Sequence, residues 1–314
     1  GLSWQVAGVT AGVMYAFIQY VNQLFNPLID IMQNYSVLQT SMVAAERVFE
    51  LMDRRDFEPD QAEEGPEIQA GNIDFEHVSF SYDGKKEILK DISFSVKQGE
   101  TIAFVGSTGS GKSSIINLFL RFYEFEKGKI LIDGRDIRDY SQAELRRNIG
   151  LVLQDPFLYH GTIASNIRMY QESLSQAEVE EAARFVDAHD FISQLAQGYD
   201  SPVTERGSTF SSGQRQLLAF ARTIATKPKI LILDEATANI DSETEELIQH
   251  SLRKMRQGRT TIAIAHRLST IQDANCIYVL DKGRIIESGS HEELLAQNGT
   301  YKKMYQLQAG MLDV

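Results

Sequence analysis

Gly106-Ser107-Thr108-Gly109-Ser110-Gly111-Lys112-Ser113 follows directly on the apolar run Thr101-Ile102-Ala103-Phe104-Val105 and leads, through Ser114, into a helical run ending near Phe119. This is the G-x-x-x-x-G-K-[ST] pattern in its strand–loop–helix setting. Glycines let the backbone wrap closely around an anion with its N–H groups pointing inward, and the start of the helix adds positive potential. In that setting Lys112 reaches the β- and γ-phosphates of a nucleotide and the Ser113 hydroxyl is a ligand for Mg²⁺. Ser114 completes the expected phosphate-binding set.

A second apolar strand, Ile230-Leu231-Ile232-Leu233, ends in Asp234-Glu235. A carboxylate pair at the end of a buried strand needs a cation or a water, because an unpaired buried carboxylate is costly. Asp234 is expected in the Mg²⁺ shell, and Glu235 is expected to polarise the water that attacks the γ-phosphate. A third strand, Thr261-Ile262-Ala263-Ile264-Ala265, delivers His266 to the same edge. Of the six histidines it alone ends such a strand, so the other five are expected in surface or structural roles. Beyond Gly71 short apolar strands alternate with helical segments, which predicts an α/β sheet with crossover helices.

The 314 residues predict one large domain with attachments. An apolar content of 43% and a charged content of 24% exclude a collagen-like or disordered chain. The net charge of -12 argues against non-specific nucleic-acid binding, which Lys and Arg drive by neutralising phosphates. The only cysteine, Cys276, sits in an apolar strand-like run and is expected to be buried and inert. With no disulfide framework the chain suits a reducing cytosol.

The first residues are of another kind. Gly1 to Ile29 carry no charge, and Val6 to Leu24 are mostly apolar, with Gly8, Gly12, Tyr15, Gln19 and Asn22 interspersed. A helix of roughly 20 such residues crosses a bilayer; a buried soluble helix is the alternative. No basic start or cleavage site marks a signal peptide, and the missing Met predicts a fragment. After Asp30 the spacing of Ile31, Tyr35, Leu38, Met42, Ala45 and Phe49 continues a helix with one apolar stripe, as a stalk would. Pro59, Gly65 and Pro66 mark a linker. The expected organisation is therefore a membrane helix and stalk over 1–52, a linker over 53–70 and a nucleotide-binding domain over 71–314.

With these landmarks in order, the chain from Gly71 to Gln308 resembles the ATP-binding-cassette ATPases. Tyr82 matches the aromatic residue that stacks on adenine, Gln154 the glutamine that reaches Mg²⁺, and Asp241 the loop exchanged between two cassettes. Phe210-Ser211-Ser212-Gly213-Gln214 matches the signature usually written LSGGQ. The resemblance implies a cassette with a mixed sheet core and a helical subdomain, binding ATP and Mg²⁺. It implies two cassettes closing head to tail, so that Ser211, Gly213 and Gln214 contact the partner's nucleotide while Lys112, Glu235 and His266 act on the chain's own.

The signature departs from the family pattern, with Phe210 for Leu and Ser212 for the first glycine. If that glycine adopts positive φ, a serine costs on the order of 1 kcal/mol. Intact Glu235 and His266 beside an altered signature resemble the competent half of heterodimeric bacterial multidrug exporters; a homodimer tolerating serine is the alternative. Fusion of span and cassette resembles an exporter, as does Val203-Thr204-Glu205-Arg206-Gly207. The resemblance implies a six-helix membrane domain, five helices of it upstream of Gly1, in a cell membrane and with the cassette cytoplasmic. Hydrophobic small molecules such as drugs are the implied cargo, with lipids and peptides open. A soluble cassette acting on nucleic acid is the competing class; the acidic balance and the apolar start speak against it.

Overall fold

The computed structural model describes residues 10–54, 65–169, 171, 173–204, 207–234, 242–265 and 271–308. The chain divides into two compact units, Gly1–Glu58 and Pro59–Val314. In the first, Ala11–Asp53 form one helix of 43 residues, α1, started by Thr10 and carrying Pro27 inside it. Its Met14, Phe17, Leu24, Ile31 and Leu38 are all exposed. The span expected over Val6–Leu24 begins outside the described residues, and among the described residues no helix is long and apolar enough to cross a membrane. Gln19, Asn22, Gln23 and Asn26 dilute the apolar content of α1. Most of the expected linker, 55–64, also lies outside the described residues.

The second unit is organised by strands that serve two cores at once. Its central sheet runs β12 (Arg284–Gly289), β11 (Cys276–Asp281), β3 (Thr101–Val105), β10 (Thr260–Ile264), β9 (Ile230–Asp234), β6 (Ile149–Val152). All neighbours are parallel except the β11–β12 hairpin at the edge. Every residue of β3 and β10 is buried, as expected for parallel strands covered on both faces. Alternate side chains point to opposite faces. Ile102, Phe104, Ile230, Ile232, Ile262 and Ile264 therefore enter one core, and Ala103, Val105, Leu231, Leu233 and Ala263 enter the other.

A four-stranded antiparallel sheet covers the first of these faces, in the order β2 (Glu87–Val96), β1 (Ile73–Ser81), β4 (Lys127–Ile132), β5 (Arg135–Asp136). Phe94 joins the two sheets, stacked on Phe75 at 4.3 Å and edge-on to Phe104 at 5.1 Å. This core also takes up α2 (Lys112–Phe119) and Leu145 of α3 (Gln142–Asn148). Helices build the other core: α4 (Ile163–Arg168), α5 (Gln176–Phe185), α6 (His189–Ser193), α7 (Ser212–Ala225) and α8 (Ser242–Arg256). The small hairpin of β7 (Gly161–Thr162) and β8 (Pro202–Val203) joins that layer, and α9 (His291–Ala296) and α10 (Thr300–Gln308) end the described chain. The mixed sheet core with a helical subdomain is the architecture expected from the sequence.

The start of this unit is fixed by one carboxylate. Asp133, at φ 51° in the β4–β5 turn, accepts from the backbone N–H groups of Gln69, Ala70, Gly71 and Asn72 at 2.8 to 3.0 Å. Partial burial opposes its charge, yet the backbone donors together outweigh this and hold its carboxyl below the usual range. A depressed folded pKa contributes stability above the unfolded value, lost as pH falls through the folded one. Asp133→Asn keeps a residue that tolerates positive φ but removes the charge. It should destabilise the protein by about 1–2 kcal/mol at pH 7 in thermal melts. The difference from wild type should shrink below about pH 4.

Candidate nucleotide site

β3 ends at Val105, and the next loop turns through Gly106, Gly109 and Gly111 at φ 154°, 80° and 111°. A Cβ at Gly106 would lie 2.3 Å from the Leu280 carbonyl oxygen, and one at Gly111 2.7 Å from Leu89. The loop is therefore closely backed by β11 and β2, and only glycine fits both constraints. Lys112 opens α2 and is 5% exposed; its Nζ donates to the carbonyls of Gly106 at 2.8 Å and Ser107 at 3.1 Å. Among the described residues the N–H groups of Gly109, Gly111 and Ser113 enter no backbone hydrogen bond. Unused donors, left-handed glycines, a buried ammonium and a helix start make a cradle that fits a polyphosphate.

The other strand ends arrive at the same edge. Ile264 of β10 pairs with Asp234 and Val152 of β6 with Leu233, while Phe104 of β3 pairs with Ile264. The phosphate loop, Asp234 and Gln154, two residues past β6, thus leave the carboxyl ends of neighbouring parallel strands, where open α/β sheets bind ligands. Glu235, Asp241 and His266 lie outside the described residues. No group of three or more His, Cys, Asp or Glu able to hold a metal exists among the described residues. The expected Mg²⁺ donors are instead one hydroxyl, one amide and one carboxylate, on Ser113, Gln154 and Asp234. Such a sparse set of hard oxygens suits Mg²⁺, which keeps its waters and binds largely through substrate phosphates.

Tyr82 follows β1 and is 46% exposed. Its hydroxyl lies 3.0 Å from Ser114 Oγ and accepts from Asn117 at 3.1 Å, with the rings of Phe80 and Tyr123 edge-on at 4.7 and 4.8 Å. Asn117 and Tyr123 carry no signal in the sequence, since only tertiary contact brings them to Tyr82. The same holds for the β11–β12 turn. The Gly283 N–H donates to the Ser110 carbonyl at 3.0 Å, and the Gly283 carbonyl accepts from Lys90 at 2.8 Å. A Cβ at Gly283 would lie 2.0 Å from the Ile88 carbonyl oxygen. This turn supports the phosphate loop from behind.

The signature segment starts α7. Ser211 caps the helix in a reciprocal box with Gln214, and Phe210 is buried where leucine was expected. Ser212 is the first helical residue and is not among those with positive φ. The strain anticipated for serine at this position is therefore absent, because a helix start accepts any L-residue. Gly213 has a packing reason of its own, since a Cβ there would lie 2.2 Å from Thr244 Cγ2. Arg222, further along α7, donates to the carbonyls of Phe157 and Asn166 at 2.8 and 2.9 Å, and burial pulls its pKa down.

The remaining histidines bear out their structural reading where their bonds are described. His77, His189, His250 and His291 lie 2.7 to 3.1 Å from Asp91, Tyr199, Asp187 and Tyr301. Cys276 is half-buried rather than buried, because it stands at the first position of β11.

A glycine-rich loop between a buried parallel strand and a helix, with an acidic strand end beside it, defines a P-loop nucleotide-binding domain. Residues 89–238 match the family described as ABC transporter. Over 305 residues the chain is 73% identical to the ABC transporter ATP-binding protein exp8 of Streptococcus pneumoniae serotype 4, a name given provisionally, covering 97% of this chain and 52% of that protein. It is 43% identical to the fatty acid ABC transporter ATP-binding/permease protein of Mycobacterium bovis, covering 97% of this chain and 48% of the relative. A solved structure of a bacterial Atm1-family ABC exporter with ATP bound superimposes with a TM-score of 0.77 at 41% identity, over 98% of this chain and 54% of that one. The chain belongs to the ABC transporter family and carries its ATP-binding domain, an ATPase domain that binds ATP with Mg²⁺. It spans about half the length of the curated relatives it matches.

Proposed function

We propose that the chain is the ATP-hydrolysing subunit of a membrane exporter, in which closure of two cassettes on MgATP drives the export of hydrophobic compounds. The observation that carries this reading is the phosphate cradle built around Lys112, on a fold shared with an ATP-bound exporter. In it Tyr82 stacks on adenine, and the loop of residues 106–114 binds the phosphates through Lys112 and its N–H groups that make no backbone hydrogen bond. Mg²⁺, held by Ser113, Gln154 and Asp234, would neutralise developing charge on the γ-phosphate. Glu235 accepts a proton from the attacking water, and His266 orients the γ-phosphate. Ser211, Gly213, Gln214 and Asp241 face the partner's nucleotide.

The membrane domain includes the uncharged segment 1–29, the bilayer is the chain's setting and the cassette lies on the cytoplasmic side. A second half-transporter completes the assembly. We favour a heterodimer on the combination of Glu235 and His266 with Ser212, whose hydroxymethyl group stands at the helix start where the family has glycine. Backbone strain no longer supports that preference.

Purified at full length and reconstituted in lipid vesicles, the transporter should hydrolyse ATP faster when hydrophobic drugs are added and should accumulate a hydrophobic dye in vesicles with outward-facing cassettes. Hydrolysis that no such compound stimulates, with no dye uptake, would overturn the exporter reading. Full stimulated hydrolysis by this subunit alone would overturn the heterodimer and leave the exporter standing.

A further inference from the structure

One helix holds both sides of the segment that contains Gln154. On the N-terminal side, Thr223 of α7 donates to the Leu151 carbonyl at 3.3 Å and Gln216 to the Leu153 carbonyl at 3.5 Å. On the C-terminal side, Arg222 donates from Nη1 to the Phe157 carbonyl at 2.8 Å. The same guanidinium reaches the backbone and side-chain oxygens of Asn166, both at 2.9 Å. Asn166 in turn grips the end of the segment, accepting from Tyr159 N–H and donating to the Tyr159 carbonyl, both at 2.8 Å. Gln154 is exposed between these anchors.

The chemistry of the anchor is specific. A planar guanidinium serves three acceptors at fixed angles, which an ammonium on a flexible stem does not. Its described partners are carbonyl oxygens rather than carboxylates, so the charge is spent on charge-assisted bonds to chain segments. Arg222 also lies over the Tyr159 ring at 5.6 Å. Its helix begins at the signature, with Ser211 as cap. A displacement of the Gln154 segment toward a bound nucleotide is thus resisted, or passed on, by the element that carries the signature.

We infer that Arg222 is a positioning residue for Gln154, holding the segment that leaves it in register with the helix that presents the signature to the partner cassette. The inference rests on the reading of Gln154 and the signature proposed above. In the full-length protein, Arg222→Lys should lower kcat for ATP hydrolysis about tenfold, with KM for ATP within about twofold and the fold retained. In a Gln154→Ala background the same substitution should cost less than about twofold further, because both changes then act on one unit. Independent losses that multiply in the double variant would overturn the assignment, as would a raised KM at unchanged kcat. Gln154→Ala alone retaining wild-type hydrolysis is a different result, and would overturn the reading of Gln154 itself. Should Arg222→Lys not fold, Asn166→Ser, which removes the side-chain acceptor at the other end of the fork, tests the same coupling. Failure of both variants to fold makes the cluster structural and overturns the positioning role.

Discussion

Glu235→Gln should cut ATP hydrolysis about 10²–10³-fold while MgATP affinity stays within about threefold of wild type. The residue is next in the chain after Asp234, the end of β9, a strand buried through Leu233 and flanked by parallel partners on both sides. Burial and register leave that strand no freedom to slip, so its carboxyl end is fixed at the edge where the phosphate loop and Gln154 also emerge. The amide is nearly isosteric with the carboxylate and preserves packing and hydrogen-bond reach. What it removes is the negative charge that, on the proposed reading, accepts the proton of the attacking water. Steady-state hydrolysis and nucleotide binding measured on one preparation separate the two effects. Unchanged hydrolysis would refute Glu235 as the base, and equal losses of binding and hydrolysis would mean that the residue binds rather than reacts.

Lys112→Ala should behave oppositely, weakening ATP binding about 100-fold or more and abolishing hydrolysis at ordinary ATP concentrations. Lys112 is 5% exposed and its ammonium is held by the carbonyls of Gly106 and Ser107, so its position is set by the loop rather than chosen among solvated rotamers. Each charge-assisted bond to a phosphate oxygen is worth about 1.5–3 kcal/mol. Losing two of them corresponds to a factor of about 10² or more in affinity. The truncation also deprives two loop carbonyls of their donor, which loosens the cradle itself. Equilibrium binding of a fluorescent ATP analogue reads the loss directly. Retention of near wild-type affinity would remove Lys112 from the phosphate site.

The phosphate loop and the strand ends beside it were legible because their signals are local. Gly106 to Ser113 are contiguous, and the apolar runs ending in Val105, Leu233 and Ala265 announce buried parallel strands whose ends must converge. The residues that support the site were not legible in this way. Asn117 and Tyr123 around Tyr82, Gly283 behind the loop and Arg222 beside Phe157 act through contacts between segments far apart in sequence. The expected span is a different case: it begins outside the described residues, and among the described residues no helix is long and apolar enough to cross a membrane.

By itself the sequence determined the α/β cassette and the phosphate loop, because period-two burial and the chemistry of Gly and Lys act over a few residues. Only the tertiary structure decided the meaning of the altered signature. Whether serine at 212 is strained depends on a backbone angle, and that angle is set by where α7 begins, capped by Ser211 and packed through Gly213 against Thr244. Residue type gives a steric preference, whereas the conformation it must satisfy comes from contacts with α8, some thirty residues away.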